Sequence, residues 1–143
     1  MAEALRADSL MIETQDAAHA PTTAPCWMVR GSGTVIIESA NILGLAMLPA
    51  EKRRPLVLDS HGLGIVLQDE RLTGCRQRII GVGGSATNDG GFGIARELGW
   101  RFENDRGEPI RTWVDLVNLK KIHPPETELL GETIVAVDVQ NPL

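Results

Sequence analysis

Aromatic residues are scarce in this sequence, which has three Trp, two Phe and no Tyr among 143 residues. Proteins that bind single-stranded nucleic acid stack its bases on such rings and carry basic surfaces. The net charge here is −5, so we expect neither a nucleic acid nor an anionic membrane surface as a partner. No apolar run approaches the length of a membrane-spanning segment either.

Cysteine is equally rare. Cys26 and Cys75 form no CxxC pair and have no histidine neighbour, which excludes the usual zinc motifs. Isolated cysteines of this kind are typical of small buried residues in a reducing compartment. The first residues, MAEALRADS, lack the basic start and the apolar centre of a secretory signal. We therefore predict a cytoplasmic location.

The composition is that of a globular chain, with 43% hydrophobic and 23% charged residues. Its length fits one domain, and no repeat divides it. We expect a single α/β domain over 1–143, with a weakly structured start over 1–25 and a core over 26–143. Within the start, residues 9–14 predict a short strand, and residues 15–25, rich in Ala, Thr and Pro, predict a loop.

The remaining sequence predicts a β-hairpin followed by alternating strands and helices. Residues 26–30 and 34–39 flank a glycine turn, a pattern typical of two antiparallel strands. Later strands are predicted at 78–82, 100–103 and 132–139, and the last of them, which is strongly β-branched, is expected at the centre of the sheet. The fold class is therefore α/β, with a mixed sheet whose antiparallel portion comes from the N-terminal hairpin.

Helix-capping residues mark where three helices should begin. Ser60 predicts a helix that runs to Leu72, a second helix follows the glycine-rich turn and ends at Gly99, and Thr112 predicts a third. In the third helix, Val114, Leu116, Val117 and Leu119 are expected mostly in the core. His123 stands in a proline-rich break with no carboxylate cluster around it, so we assign it no catalytic role.

The clearest chemical signal lies between residues 79 and 98, IIGVGGSATNDGGFGIAREL. The apolar run that ends at Val82 predicts a buried strand, and Ile94, Ala95 and Leu98 have the spacing of one helix face. The glycines between them allow main-chain amides to turn toward a ligand. A strand, a glycine-rich turn and a helix start together predict an anion site. The turn matches neither the P-loop nor the dinucleotide fingerprint.

Three motifs resemble segments of the type I glycerate kinase family, whose members phosphorylate glycerate with ATP. They occur along the chain in the same order as in the family. The longest is GVGGSATNDGGFGIARELGWRF at 81–102. VIIESA at 35–40 resembles the family's strand that ends in a glutamate, and DVQNPL at 138–143 resembles its DVxNPL motif. The family's PDSFK-like, ADGGEG-like and GPQKG-like segments do not occur. The chain therefore resembles the middle part of a two-domain glycerate kinase.

The resemblance implies transfer of the γ-phosphoryl group of ATP to glycerate, with Mg²⁺ as the second cofactor. In such a reaction the protein mainly positions two substrates and neutralises charge. Asp89 and Asp138 are the candidate catalytic carboxylates, Asp89 near the substrate hydroxyl and Asp138 near the metal, and the sequence does not separate these two roles. The candidate substrate-binding residues are Gly83, Gly84, Ser85, Thr87, Asn88, Glu38 and Asn141.

A second interpretation of the same residues needs no catalysis. Asp89 then caps the following helix, while Asp138 and Asn141 shape the turn before Pro142. On this view the chain is a non-catalytic α/β remnant that binds a small anion or a protein partner. On the first view it is part of a glycerate kinase, inactive alone, with glycerate and ATP as ligands. The candidate macromolecular partners are a second copy of the chain, as a homo-oligomer, and the missing segments of the same enzyme.

Overall fold

The computed structural model describes residues 7–126 and 130–137. Five strands form one sheet: β1 (Ala7–Gln15), β2 (Pro21–Val29), β3 (Thr34–Glu38), β4 (Gln77–Val82) and β7 (Glu132–Val137). The strands lie in the order β1-β2-β3-β4-β7. Pairs β1–β2 and β2–β3 are antiparallel, whereas β3–β4 and β4–β7 are parallel. The predicted mixed α/β sheet is confirmed.

Three short helices and a small ribbon complete the described structure. The helices are α1 (Ala40–Leu43), α2 (His61–Leu67) and α3 (Phe92–Glu97). Strands β5 (Arg101–Glu103) and β6 (Lys121–His123) pair antiparallel as a separate two-stranded sheet. Short 3₁₀ turns lie at Leu45–Met47, Ala50–Lys52, Glu70–Leu72 and Trp113–Asn118.

Of the two predictions for the N-terminal strands, the hairpin is confirmed and the preceding loop is wrong. The β2–β3 hairpin forms as expected, with Val29 opposite Thr34. The loop predicted over 15–25 is wrong, because β2 already begins at Pro21. Proline is accepted as the first residue of a strand, and the threonines that follow favour extended backbone. Ala24 and Cys26 are both fully buried, the alternation expected of a strand with one face on the core.

Helix α2 lies close against β1 and α3 because two of its glycines leave space. A Cβ at Gly62 would overlap the carbonyl oxygen of Gln15, and one at Gly64 would lie 2.6 Å from Cβ of Glu97. The Thr14 hydroxyl also donates to the Gly62 carbonyl across 2.6 Å in a buried position. The start of α2 is thereby fixed on the sheet.

The same helix ends earlier than predicted, at Leu67 rather than Leu72. Asp69 has extended backbone, and its carboxylate accepts a hydrogen bond from the Arg71 amide across 3.0 Å. That local bond caps a separate 3₁₀ turn over Glu70–Leu72 and prevents the α-helix from continuing.

The predictions for the segment after Thr112 are also wrong. The segment forms a 3₁₀ turn over Trp113–Asn118, and the side chains of Val114 and Val117 are 40% and 86% exposed instead of lying in the core. The Thr112 hydroxyl donates to the Asp115 carboxylate and caps no helix amide. Apolar spacing alone does not show whether a neighbour exists to cover an element.

Strand β7 forms as predicted, but it is not central. Within residues 7–126 and 130–137 it pairs only with β4 and is therefore an edge strand. Ile134, Val135 and Val137 are 43%, 56% and 63% exposed. A β-branched run identifies a strand without specifying its place in the sheet.

His123 contacts one carboxylate, which belongs to a different strand. It ends β6, and its Nε2 lies 2.9 Å from Oε2 of Glu103, which is on the paired strand β5. A single carboxylate is not a cluster, and the expectation that His123 has no catalytic role stays a prediction. The contact depends on the pairing of two strands that are distant in the sequence.

No helix among the described residues is long and apolar enough to cross a bilayer. In the same part of the chain, no cluster of three or more His, Cys, Asp or Glu side chains has a metal-binding arrangement.

The two cysteines should differ in reactivity. Cys26 is fully buried, and burial raises the pKa of its thiol to about 11, whereas Cys75 is half-buried. Because the thiolate is the reactive form, Cys26 should react with a thiol reagent only after unfolding, and Cys75 should react in the native protein. Thiol counting with and without denaturant, in wild type and Cys75→Ala, measures this. Rapid labelling of native Cys75→Ala would contradict it.

Candidate functional site

A cavity of about 500 Å³ lies at the carboxyl ends of the three parallel strands β3, β4 and β7. In open α/β sheets this edge is where ligands usually bind. The cavity is lined by Glu38 and Ala40 after β3, by residues 81–84 of β4 and the following loop, and by Ala136 and Val137 of β7.

The glycine-rich loop after β4 is held in place by backbone hydrogen bonds to the segment after β3. The Ala86 amide donates to the Leu43 carbonyl across 2.7 Å, and the Leu45 amide donates to the Gly84 carbonyl across 3.0 Å. The Ser39 amide likewise donates to Gly81 at the end of β4. The loop is thus anchored at its base.

The outer surface of this loop is open. Gly84 has a φ of +61°, which favours glycine, and no heavy atom outside its own chain neighbours lies within 4 Å of where its Cβ would stand. The amides of Gly84, Ser85, Thr87 and Asn88 donate to no acceptor among the described residues. Unpaired amides beside an open cavity are the donors that an anionic ligand requires.

Glu38 is the acidic residue among the described residues that line the cavity. It is the last residue of β3 and is half-buried, and its register partner on β4 is Gly81. The described residues provide no hydrogen-bond donor or cation for its carboxylate. The carboxylate is therefore available to a ligand in the cavity.

Asp89 has a different environment from Glu38. It is 5% exposed, and Oδ2 accepts hydrogen bonds from the Ser60 hydroxyl (2.7 Å), the Ser60 amide (2.9 Å) and the Gly93 amide (2.9 Å). Oδ1 accepts a longer bond, 3.3 Å, from Gly91. Asp89 thus joins the start of α2 to the start of α3.

The Ser60 side chain completes this connection. Its hydroxyl oxygen accepts a hydrogen bond from the Ile94 amide across 3.1 Å, so it serves α3 rather than capping its own helix. A Cβ at Gly93 would overlap the backbone of Ser60 and His61, so the helix starts are in direct contact. We call Asp89, Ser60 and Gly93 the helix junction.

The structure brings together only some of the residues selected from the sequence. Glu38, Gly83 and Gly84 line the cavity, whereas Ser85, Thr87 and Asn88 follow on the loop without lining it. Asp89 belongs to the helix junction. Asp138 and Asn141 lie outside the described residues.

Sequence reasoning missed the small residues that make room for the cavity, namely Ala40, Gly81 and Ala136. Gly81 and Ala136 stand at the ends of two predicted strands. Their position beside each other depends on the strand register, which the sequence does not specify.

Comparisons with known proteins give a consistent result. The model of the glycerate kinase family matches residues 1–143. A glycerate kinase of Halalkalibacterium halodurans is 40% identical over 76% of this chain and 30% of its own length. The glycerate 2-kinase of Escherichia coli is 35% identical over 95% of this chain and 39% of its own length.

A solved structure, glycerate kinase 2 of Salmonella typhimurium LT2, superposes with a TM-score of 0.85 at 31% identity. It covers 99% of this chain and 40% of its own chain. The present chain therefore spans well under half the length of the proteins that it matches.

The helix junction generates a stability prediction. Asp89→Asn replaces one acceptor oxygen by an NH₂ group that faces other donors, so it should lower the free energy of unfolding by about 2 to 3 kcal/mol. The control is Asp105→Asn, in an exposed turn, which should change stability by less than about 0.5 kcal/mol. Urea denaturation measures both. Equal stabilities of the two variants would mean that the junction contributes little.

Proposed function

Because the chain belongs to the glycerate kinase family, we propose that it forms part of the cleft in which ATP phosphorylates glycerate. The observation that carries this proposal is the open glycine-rich loop at the carboxyl ends of parallel strands, with amides that lack acceptors among the described residues. Both substrates are anions, and such amides can bind a carboxylate or a phosphate.

The loop binds one of these anionic groups in our proposal. Gly83 and Gly84 line the cavity, and we propose that their amides are the donors at its wall. Ser85, Thr87 and Asn88 add hydroxyl and amide groups farther along the loop. Asn141 remains a proposed substrate contact on the strength of the family motif alone.

Magnesium fits the donor set of this cavity. Mg²⁺ is usually bound by one or two carboxylates together with water and substrate phosphates. Glu38 supplies one carboxylate in the cavity, and Asp138 follows Val137, a lining residue, in the sequence. When bound, Mg²⁺ would neutralise charge on the transferring phosphoryl group. We propose Asp138 as the second carboxylate, either as metal ligand or as proton acceptor.

The bonding of Asp89 supports the capping interpretation for this residue. A general base must come within hydrogen-bond distance of the hydroxyl proton that it removes. Asp89 is 5% exposed and already accepts four hydrogen bonds. We therefore propose that it acts on catalysis through the position of the loop that it ends.

The second candidate function is a non-catalytic module that binds a protein partner. The exposed β-branched side chains of edge strand β7 favour it, because such a strand can pair with another chain. A second copy of this chain, or the rest of a kinase, would be the partner. In either case we propose a cytoplasmic location, which the two free cysteines support.

An ADP-release assay with glycerate and MgATP separates the two functions. We expect no turnover from residues 1–143 alone and turnover from a full-length protein that contains them. Phosphorus NMR of the product then distinguishes 2-phosphoglycerate from 3-phosphoglycerate. Turnover by the 143 residues alone would refute the expected dependence on further segments. Folded full-length protein that releases no ADP would refute the kinase proposal.

The loop itself is tested by a matched pair of glycine variants. Gly84 and Gly107 both have positive φ, +61° and +75°, and neither has a heavy atom within 4 Å of the Cβ position. Alanine at either site should lower stability similarly, by about 1 to 2 kcal/mol, from backbone strain. Only Gly84→Ala should also weaken substrate binding, because its methyl group projects at the cavity wall.

The dissociation constants of ATP and glycerate, measured by calorimetry on the full-length protein, provide the comparison. We expect a loss of about tenfold or more for Gly84→Ala and none for Gly107→Ala. Equal dissociation constants in the two variants would show that the glycine-rich loop is not part of the binding site.

A further inference from the structure

Three residues on adjacent strands form a row across the cavity floor. Glu38 on β3 is the register partner of Gly81 on β4, and Gly81 is the partner of Ala136 on β7. Register partners in neighbouring strands point to the same face of a sheet. All three line the cavity, so its floor carries a carboxylate, then a hydrogen atom, then a methyl group.

The missing side chain of Gly81 makes room for the carboxylate of Glu38. A Cβ at Gly81 would lie 2.5 Å from Oε2, 3.1 Å from Cδ and 3.3 Å from Oε1 of Glu38. The whole carboxylate therefore lies across β4. The φ angle of Gly81 is not in the left-handed region, so backbone conformation does not require glycine here. Glycine is needed here because a larger side chain would occupy the space of the Glu38 carboxylate. At Gly84, in contrast, the backbone conformation favours glycine.

The charges around this carboxylate indicate its ligand. The described residues that line the cavity include neither Lys nor Arg, and they offer Glu38 no hydrogen-bond donor. An anion on the loop amides at Gly83 and Gly84 would place a second negative charge beside it, which is unfavourable. A divalent cation between the two relieves both charges, and one carboxylate plus phosphate oxygens is a usual Mg²⁺ arrangement.

We propose that Gly81 is a positioning residue that lets the Glu38 carboxylate lie across β4, where it binds the divalent cation of the nucleotide. The inference rests on the proposed function for the presence of a nucleotide. It adds a role for Gly81 and a specific position for the Glu38 carboxylate to the magnesium site proposed above.

The main test is cation binding, measured on the full-length protein with ADP and without glycerate. Mn²⁺ is the probe, and its free concentration is followed by electron paramagnetic resonance. Glu38→Gln keeps the shape of the side chain and removes its charge, so it should fold and weaken Mn²⁺ binding about tenfold or more. Mn²⁺ binding to Glu38→Gln as tight as to wild type would overturn the proposal.

Gly81→Ala tests the positioning role. The atoms that its methyl group displaces belong to the free end of a flexible side chain, so the variant should fold. Loss of a group that orients a metal ligand typically costs 10- to 100-fold in metal affinity, and we expect a loss in that range. The control is Gly131→Ala, directly before β7, where an added Cβ would lie 3.9 Å from the nearest heavy atom, in the Arg78 side chain, and affinity should be unchanged.

The double variant decides whether Gly81 acts through Glu38. When Glu38→Gln has already removed the ligand charge, adding Gly81→Ala should weaken Mn²⁺ binding by less than about twofold, because the two effects are coupled. Additive losses would overturn the positioning role. Thermal unfolding of each variant excludes a general loss of structure.

These measurements also separate this inference from the proposed function. Mn²⁺·ADP binding that depends on Glu38 and Gly81, in a protein that does not phosphorylate glycerate, would support the inference and refute the proposal that glycerate is the substrate. Normal phosphorylation of glycerate together with unaltered Mn²⁺ binding in both single variants would support the proposed function and overturn the inference. A wild-type protein that binds no Mn²⁺ with ADP would overturn the inference.

Discussion

The carboxylate of Asp89 is the interaction on which the rest of the described structure most depends. It accepts hydrogen bonds from the Ser60 amide, directly before α2, and from the Gly93 amide in the first turn of α3, and no other buried carboxylate is found among the described residues. Helices α2 and α3 are too short to be stable alone, so their packing must hold them. The helix junction fixes where the glycine-rich loop ends, just as the bonds to Leu43 and Leu45 fix where it begins.

Between those two anchors, the amides of Ser85, Thr87 and Asn88 donate to no acceptor within the described part of the chain. The cavity floor is open because the residues at the ends of β4 and β7, Gly81 and Ala136, have small side chains or none. Two glycines therefore serve the site for unrelated reasons. Gly84 permits a backbone conformation, whereas Gly81 permits a neighbouring side chain to lie across a strand.

Local features were predictable from the sequence, and long-range ones were not. The hairpin, strand β4 and the glycine turn follow from short patterns of apolar and turn residues. The edge position of β7 and the contact of His123 with Glu103 depend on strand pairing. The role of Asp89 depends on Ser60, which is distant in the sequence. A capping residue is recognisable from its type, but its partner is set by the tertiary fold.

The topology of the sheet has a consequence for how the protein folds. Strands β1, β2 and β3 are joined by short turns, whereas β3 reaches β4, and β4 reaches β7, only after long intervening segments. Closing a long loop costs entropy before its contacts form, so local pairing is faster. We expect the antiparallel β1–β3 portion to form early, during synthesis, and the parallel portion with β4 and β7 to assemble late as the slow step of folding.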